Sequence, residues 1–155
     1  MNIVAPQQLH LETLMSWFPD HNSGFLWCGP GFRFPFTRES FLQDMHWGQM
    51  PAYALLDESD GLLAFGQYYE KEGRCHLARL VVSPLNRSEG IGHEFILELM
   101  NLGRRELNVT ECSLFVANAN ERALKCYISL GFEKAENPPG RKNYADIEFM
   151  VRKMA

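Results

Sequence analysis

The sequence predicts a mixed α/β fold, with one sheet of about seven strands flanked by about four helices. Three observations carry that reading. Apolar residues follow a strand pattern between Ala52 and Val82, then take up helical spacing from Gly90. The unit CHLARLVV–helix–CSLFVA is a crossover, so its two strands are expected to run parallel with the helix packed on the sheet. Finally, 155 residues at 46% hydrophobic and 22% charged fit one globular domain, 1–155, with a sizeable core.

In chain order, Asn2–Val4 reads as a short strand. After Pro6 a helix carries Leu9, Leu11, Leu14, Met15 and Phe18. The block HNSGFLWCGPGFRFPF (21–36) is rich in turn formers and aromatics and reads as a loop. Thr37 is placed to cap a second helix through Phe41, Met45 and Trp47. AYALLD and LLAFGQYYE flank the turn ESDG, and KEGR leads into CHLARLVV, giving an antiparallel meander. From Gly90, Ile91, Phe95, Leu99 and Leu102 share a helix face. CSLFVA is a buried strand, and Asn120–Leu130 is a second amphipathic helix ended by Gly131. FEKAE and ADIEFMVRK close the sheet around the loop NPPGRKNY.

Composition removes several function classes. A net charge of −4 argues against general nucleic-acid binding and leans toward a cationic acceptor such as an amine. No apolar run is long enough to span a membrane, and MNIVAPQQLHLETLM lacks the pattern of a signal peptide. Cys28, Cys75, Cys112 and Cys126 are scattered without CxxC spacing, as expected of reduced thiols in a cytoplasmic protein. The histidines show no ligand spacing, so no metal is expected.

The chemistry centres on RSEGIGHEF, Arg87–Phe95. A P-loop needs a lysine–hydroxyl pair that is missing here. A dinucleotide fingerprint needs a third glycine where Phe95 stands. On the glycines alone, a plain tight turn and an anion-binding turn at a helix N-terminus both remain open.

Two motifs together resemble the GNAT superfamily of N-acetyltransferases, which use acetyl-coenzyme A. One is RxxGxG at Arg87–Gly92, after a strand ending LVVSP. The other is NxxAxxxYxxxGF, from Asn120 through Ala123, Tyr127 and Gly131 to Phe132. The resemblance implies a GNAT fold with a splayed parallel strand pair, an acetyl-CoA-binding core over 75–132, and a variable acceptor side over 1–50. It implies that Arg87, Ser88, Glu89, Gly90, Ile91, Gly92 and His93 meet the pyrophosphate, with the acidic Glu89 a departure from an otherwise anion-friendly turn. It further implies that Leu80, Val81 and Val82 present backbone to the pantetheine arm, opposite Asn120 and Ala123. Asn120 also suits a helix cap, and both roles are compatible.

By the same resemblance Tyr127 is the general acid for the leaving thiolate, a role open to a phenol protonated at neutral pH. Counting eleven residues back from Arg87 gives His76 as candidate base, with strand parity matching Leu80 and Val82 unless a bulge intervenes. Its bland reading is a strand histidine bonded to its surroundings. Glu70 is the alternative base. The aromatics between Trp17 and Trp47 suit a small core, an acceptor wall or a homodimer contact. The implied activity is acetyl transfer from acetyl-CoA to a primary amine of a small molecule or peptide by direct attack. A non-catalytic acyl-CoA sensor on the same fold is the alternative, and acceptor identity and acyl length stay open.

Overall fold

The computed structural model describes residues 2–87, 89–139 and 146–153. It contains β1 (Asn2–Val4), α1 (Gln8–Ser16), α2 (His21–Cys28), α3 (Arg38–Asp44), β2 (Ala52–Leu56), β3 (Leu62–Lys71) and β4 (Arg74–Val82). After one 3-10 turn at Pro84–Asn86 come α4 (Ile91–Leu107), β5 (Glu111–Ala117), α5 (Glu121–Ser129), β6 (Glu133–Ala135) and β7 (Ile147–Lys153). The seven strands form one sheet in the order β1-β2-β3-β4-β5-β7-β6, with β4 and β5 its parallel pair. Gly140–Ala145, which include most of the expected final loop and the first residue of its following strand, lie outside the described residues. Among the described residues no helix is long and apolar enough to cross a membrane.

Apolar side chains leave both faces of the sheet, which is why β3 is buried along most of its length. On one face α4 and α5 enclose Tyr68, Leu77, Leu114 and Met150. Ile91, Phe95 and Leu99 of α4 face this core as expected, but the next inward position is Gly103 and not Leu102, which is only half-buried. On the other face α1, α2 and α3 cover Ala54, Leu56 and Phe65. Leu9, assigned to the apolar side of α1, is instead exposed.

The segment expected to be a loop contains a helix over His21–Cys28, so the described residues hold five helices. Its start follows from Asp20, whose carboxylate accepts the Ser23 N–H at 2.7 Å while Ser23 Oγ lies 3.4 Å from the Asp20 N–H. This reciprocal cap holds the first turn. Thr37 caps α3 in the same manner, accepting the Ser40 N–H at 3.0 Å. The aromatics of this region are mostly interior: Phe18, Trp27, Phe32 and Phe41 are buried, and Trp27 stacks on Phe18 (4.3 Å) and Phe41 (5.4 Å). Of the readings open for this segment, a small core is therefore realised, beneath a helix in place of a long loop.

The strand β4 is kinked. Phe65 pairs with Val81 and Gln67 with Ala78, so Arg79 and Leu80 together stand opposite the single residue Gly66. This is a β-bulge, and Arg79 occupies the left-handed region at φ 51°. The bulge shifts the strand's facing: Leu77 packs in the α4 core, and so do Leu80 and Val82. The parity expected to join His76 with Leu80 and Val82 is thereby broken.

Gly24 lies in the middle of α2 because Phe32 packs directly on it. A Cβ there would stand 2.2 Å from Phe32 Cε2. Gly24→Ala gains about 1 kcal/mol of helix preference but overpacks a buried ring at a cost of about 1–3 kcal/mol. The expected outcome is a net loss of stability, read as a lower urea midpoint with unchanged slope.

Candidate active site

The parallel pairing of β4 with β5 covers only Cys75–Leu77 against Cys112–Leu114. Both strands continue, to Val82 and Ala117, but they diverge. The Ser83 N–H donates to the Leu63 carbonyl at 2.8 Å on the β3 side. Strand alternation then turns the N–H and C=O of Val82 away from β3, toward the gap that β5 has left. Such groups need a partner that the sheet itself does not provide.

Two cavities meet at this wedge. The larger, about 390 Å³, is lined by Leu80, Val81 and Val82, by the turn and first residues of α4, and by Asn120, Ala123 and Tyr127 of the α5 region. The smaller, about 250 Å³, lies between α2, β4 and β5 and includes Phe25, Cys28, His76, Arg79 and Phe115. Leu26, Trp27, Leu80, Asn120 and Tyr127 line both. The aromatic segment thus supplies a core and a wall at once.

The turn before α4 fits an anion. Gly90 is the N-cap at φ 79°, a conformation that L side chains rarely adopt, although a Cβ there would meet open space. Gly92 has the opposite reason: a Cβ would lie 3.2 Å from Val82 Cγ2, closing the cleft between helix and strand. The α4 N–H groups and helix dipole favour negative charge here. Arg87 and Arg122 both line the same cavity, and desolvation, with Arg122 second, lowers the Arg87 pKa. Among the described residues neither guanidinium has a carboxylate within 4 Å. Two cations held near one another beside a helix N-terminus suit a pyrophosphate.

Tyr127 is buried at the junction of the two cavities, edge-on to Phe132 at 6.0 Å. Burial, with the neighbouring Cys126 thiol second, pushes its phenol well above the ordinary tyrosine value. The group is therefore a proton donor and not a phenolate at neutral pH. Asn120 holds both roles open to it: its Oδ1 accepts the Ala123 N–H at 3.4 Å as cap of α5, and it lines both cavities.

The structure brings Leu80, Val81, Val82, Arg87, Gly90, Gly92, His93, Asn120, Ala123 and Tyr127 to the larger cavity. Ile91 instead turns into the core, Glu89 is exposed and lines neither cavity, and Ser88 lies outside the described residues. His76 is 2% exposed, its Nδ1 lies 2.8 Å from Ser113 Oγ, and it packs on Tyr69 and Phe115 at the smaller cavity. Glu70 is not brought to either cavity; its Oε1 accepts the Gly73 N–H at 2.9 Å in the β3–β4 turn. Sequence reasoning missed Arg122, Arg79 and the α2 wall. A cap reading of Asp20–Ser23 would have exposed α2, but nothing local marks the two arginines. Among the described residues no group of three His, Cys, Asp or Glu is placed to hold a metal.

A seven-stranded mixed sheet, a parallel pair opened into a wedge and a glycine-capped helix at its mouth define an acyltransferase architecture. The chain belongs to the acetyltransferase (GNAT) family, whose model matches residues 12–132. Its fold is similar to that of spermidine N-acetyltransferase from Vibrio cholerae, solved with CoA and spermine. The TM-score is 0.73 at 15% identity, covering 99% of this chain and 95% of that one. It is also similar to PaiA N-acetyltransferase from Thermoplasma acidophilum, solved with coenzyme A. There the TM-score is 0.71 at 18% identity, with 98% of each chain covered.

The Tyr127 shift has a stability consequence. Above pH 10 the unfolded chain releases the Tyr127 proton while the fold retains it, so stability falls as pH rises. Between pH 9 and 11 the wild-type protein should lose about 1 kcal/mol more than Tyr127→Phe, measured by urea unfolding at each pH.

Proposed function

We propose that this protein transfers the acetyl group of acetyl-CoA to the primary amine of a small molecule by direct attack. The observation that carries the reading is Tyr127, a buried phenol at the point where the two cavities meet. The larger cavity takes the co-substrate and the smaller takes the acceptor. At about 250 Å³ the latter is below the roughly 300–1,000 Å³ of pockets for drug-sized ligands, which favours a small amine. A binding module without turnover has no need for a buried proton donor at this junction. Four free thiols, two of them fully buried, fit a reducing compartment, and we place the protein in the cytoplasm.

The chain's own groups divide the work. Arg87, Arg122 and the N–H groups of the Gly90–His93 turn hold the pyrophosphate. Val82 offers an N–H to the oxygen that gains negative charge as the amine nitrogen bonds to the carbonyl carbon. As the carbon–sulfur bond breaks, Tyr127 gives its proton to the sulfur, and the second proton that the nitrogen sheds on becoming an amide returns to the phenolate through water. His76, on the wall of the smaller cavity, receives the proton that the acceptor ammonium must lose, directly or through a water.

Tyr127→Phe should lower kcat by about a hundredfold or more. Its dissociation constant for acetyl-CoA should stay within about threefold of wild type, a split that marks a group acting in the chemical step. Equal losses in both would remove Tyr127 from the acid role. Thiol release and calorimetric titration measure the two quantities. Arg87→Ala and Arg122→Ala should each weaken acetyl-CoA binding by about five- to tenfold, as loss of a charge-assisted but partly exposed contact predicts. Added salt should narrow the difference from wild type.

A further inference from the structure

Arg79 is the single lysine or arginine lining the acceptor cavity among the described residues, and no aspartate or glutamate lines it. Among the described residues the partners of its guanidinium are neutral. Nη1 donates to Gln67 Oε1 at 3.0 Å and lies 3.8 Å from Met50 Sδ. The guanidinium also sits against the Cys28 thiol, whose proton affinity it lowers against the larger opposing effect of burial. Gln67 is wholly buried and spends its amide nitrogen on the Met45 carbonyl at 2.8 Å, which fixes its oxygen toward Arg79. Arg79 Nε is buried without a hydrogen-bond partner. Asp44, whose carbonyl accepts from Cys28, has its carboxylate engaged by Arg33 at 2.8 Å.

A positive charge in a cavity wall with only neutral partners, and with one buried donor unmet, lacks a counter-ion among the described residues. The backbone adds to the case. Arg79 is held at φ 51°, with its carbonyl bound by Trp27 Nε1 at 2.8 Å. Strain of this kind persists only where the surroundings enforce it, and it gathers at ligand clamps. The next residue, Leu80, stands where the two cavities join.

We infer that the acceptor is a small amine that also carries a carboxylate, and that Arg79 binds this carboxylate; the inference rests on the acetyl-transfer reading above. A carboxylate can take paired N–H donors from a guanidinium, and it would hold the molecule at β4 with its amine free to turn toward the Tyr127 junction. A polyamine meets the reverse electrostatics, a cation in the wall and no acidic side chain among the described lining.

The test is thiol release from acetyl-CoA with leucine, methionine and phenylalanine, each as the free acid and as the carboxamide, and with spermidine. The acids should exceed their amides in kcat/KM by about tenfold or more, the discrimination expected of a charge-assisted pair. The contrast is conservative, because the less basic amine of an amide is the more readily neutral one. Arg79→Gln should abolish the preference and leave acetyl-CoA binding unchanged, while Arg79→Lys should keep part of it. Since Arg79 also supports Gln67, thermal melting checks the fold of each variant, and the wild-type acid–amide comparison stands without them. Amides or spermidine used as well as the acids would overturn the carboxylate-bearing acceptor and leave acetyl transfer intact. No release with any amine, from protein that binds acetyl-CoA, would overturn acetyl transfer and this inference with it.

Discussion

Everything at this site depends on where one ladder of hydrogen bonds stops. The strands β4 and β5 pair over three residues each and then part, because the bulge at Arg79 and Leu80 turns β4 out of register. Backbone groups beyond Leu77 and Leu114 on the facing edges cannot complete each other. In most sheets that would be a defect. Here it forms a polar-edged slot, walled by α4 on one side and α2 on the other, and an extended molecule with its own amide groups can enter it as a strand would. The glycine turn, Arg87 and Arg122 stand at one end of the slot, Tyr127 near its middle, and the smaller cavity beyond.

The larger frame was legible in the sequence because it rests on local chemistry. Period-two patterning around ESDG and KEGR, helical spacing from Gly90 and the crossover rule were enough for the antiparallel meander and for the parallel pair, though not for the place of β7 between β5 and β6. The segment 21–28 was obscured by its composition: glycine, cysteine and aromatics conceal a helix whose only clear start is the Asp20–Ser23 cap. The position of His76 relative to Leu80 was unreadable for another reason. A bulge is set by how β4 meets β3, and a single inserted residue reverses every facing after it.

The site shows the same division. Residues embedded in a compact motif (Gly90, Gly92, Asn120, Tyr127) could be placed at the cleft through the resemblance of those motifs to the family's pattern. Even so, the two glycines serve different needs, one conformational and one of clearance, which only the contact between α4 and Val82 reveals. Arg122 and Arg79 were not visible beforehand. Their meaning comes from neighbours distant in sequence, a second arginine for one and, for the other, a cavity with no acidic side chain among the described lining. Glu70, the alternative base, lies at the β3–β4 turn away from both cavities, a placement that the strand pattern does not reveal.

The bond from the Trp27 indole to the Arg79 carbonyl joins α2 to the bulge of β4, where the two cavities meet. Trp27 is also stacked between Phe18 and Phe41 and lines both cavities. On the reading proposed above, divergence of the acceptor side has a fixed point. Residues around the indole can drift toward a new amine only while its N–H still reaches that carbonyl. A lineage that loses the reach would have to reform the bulge as well, so that acceptor preference would be inherited together with the geometry of the opened strand.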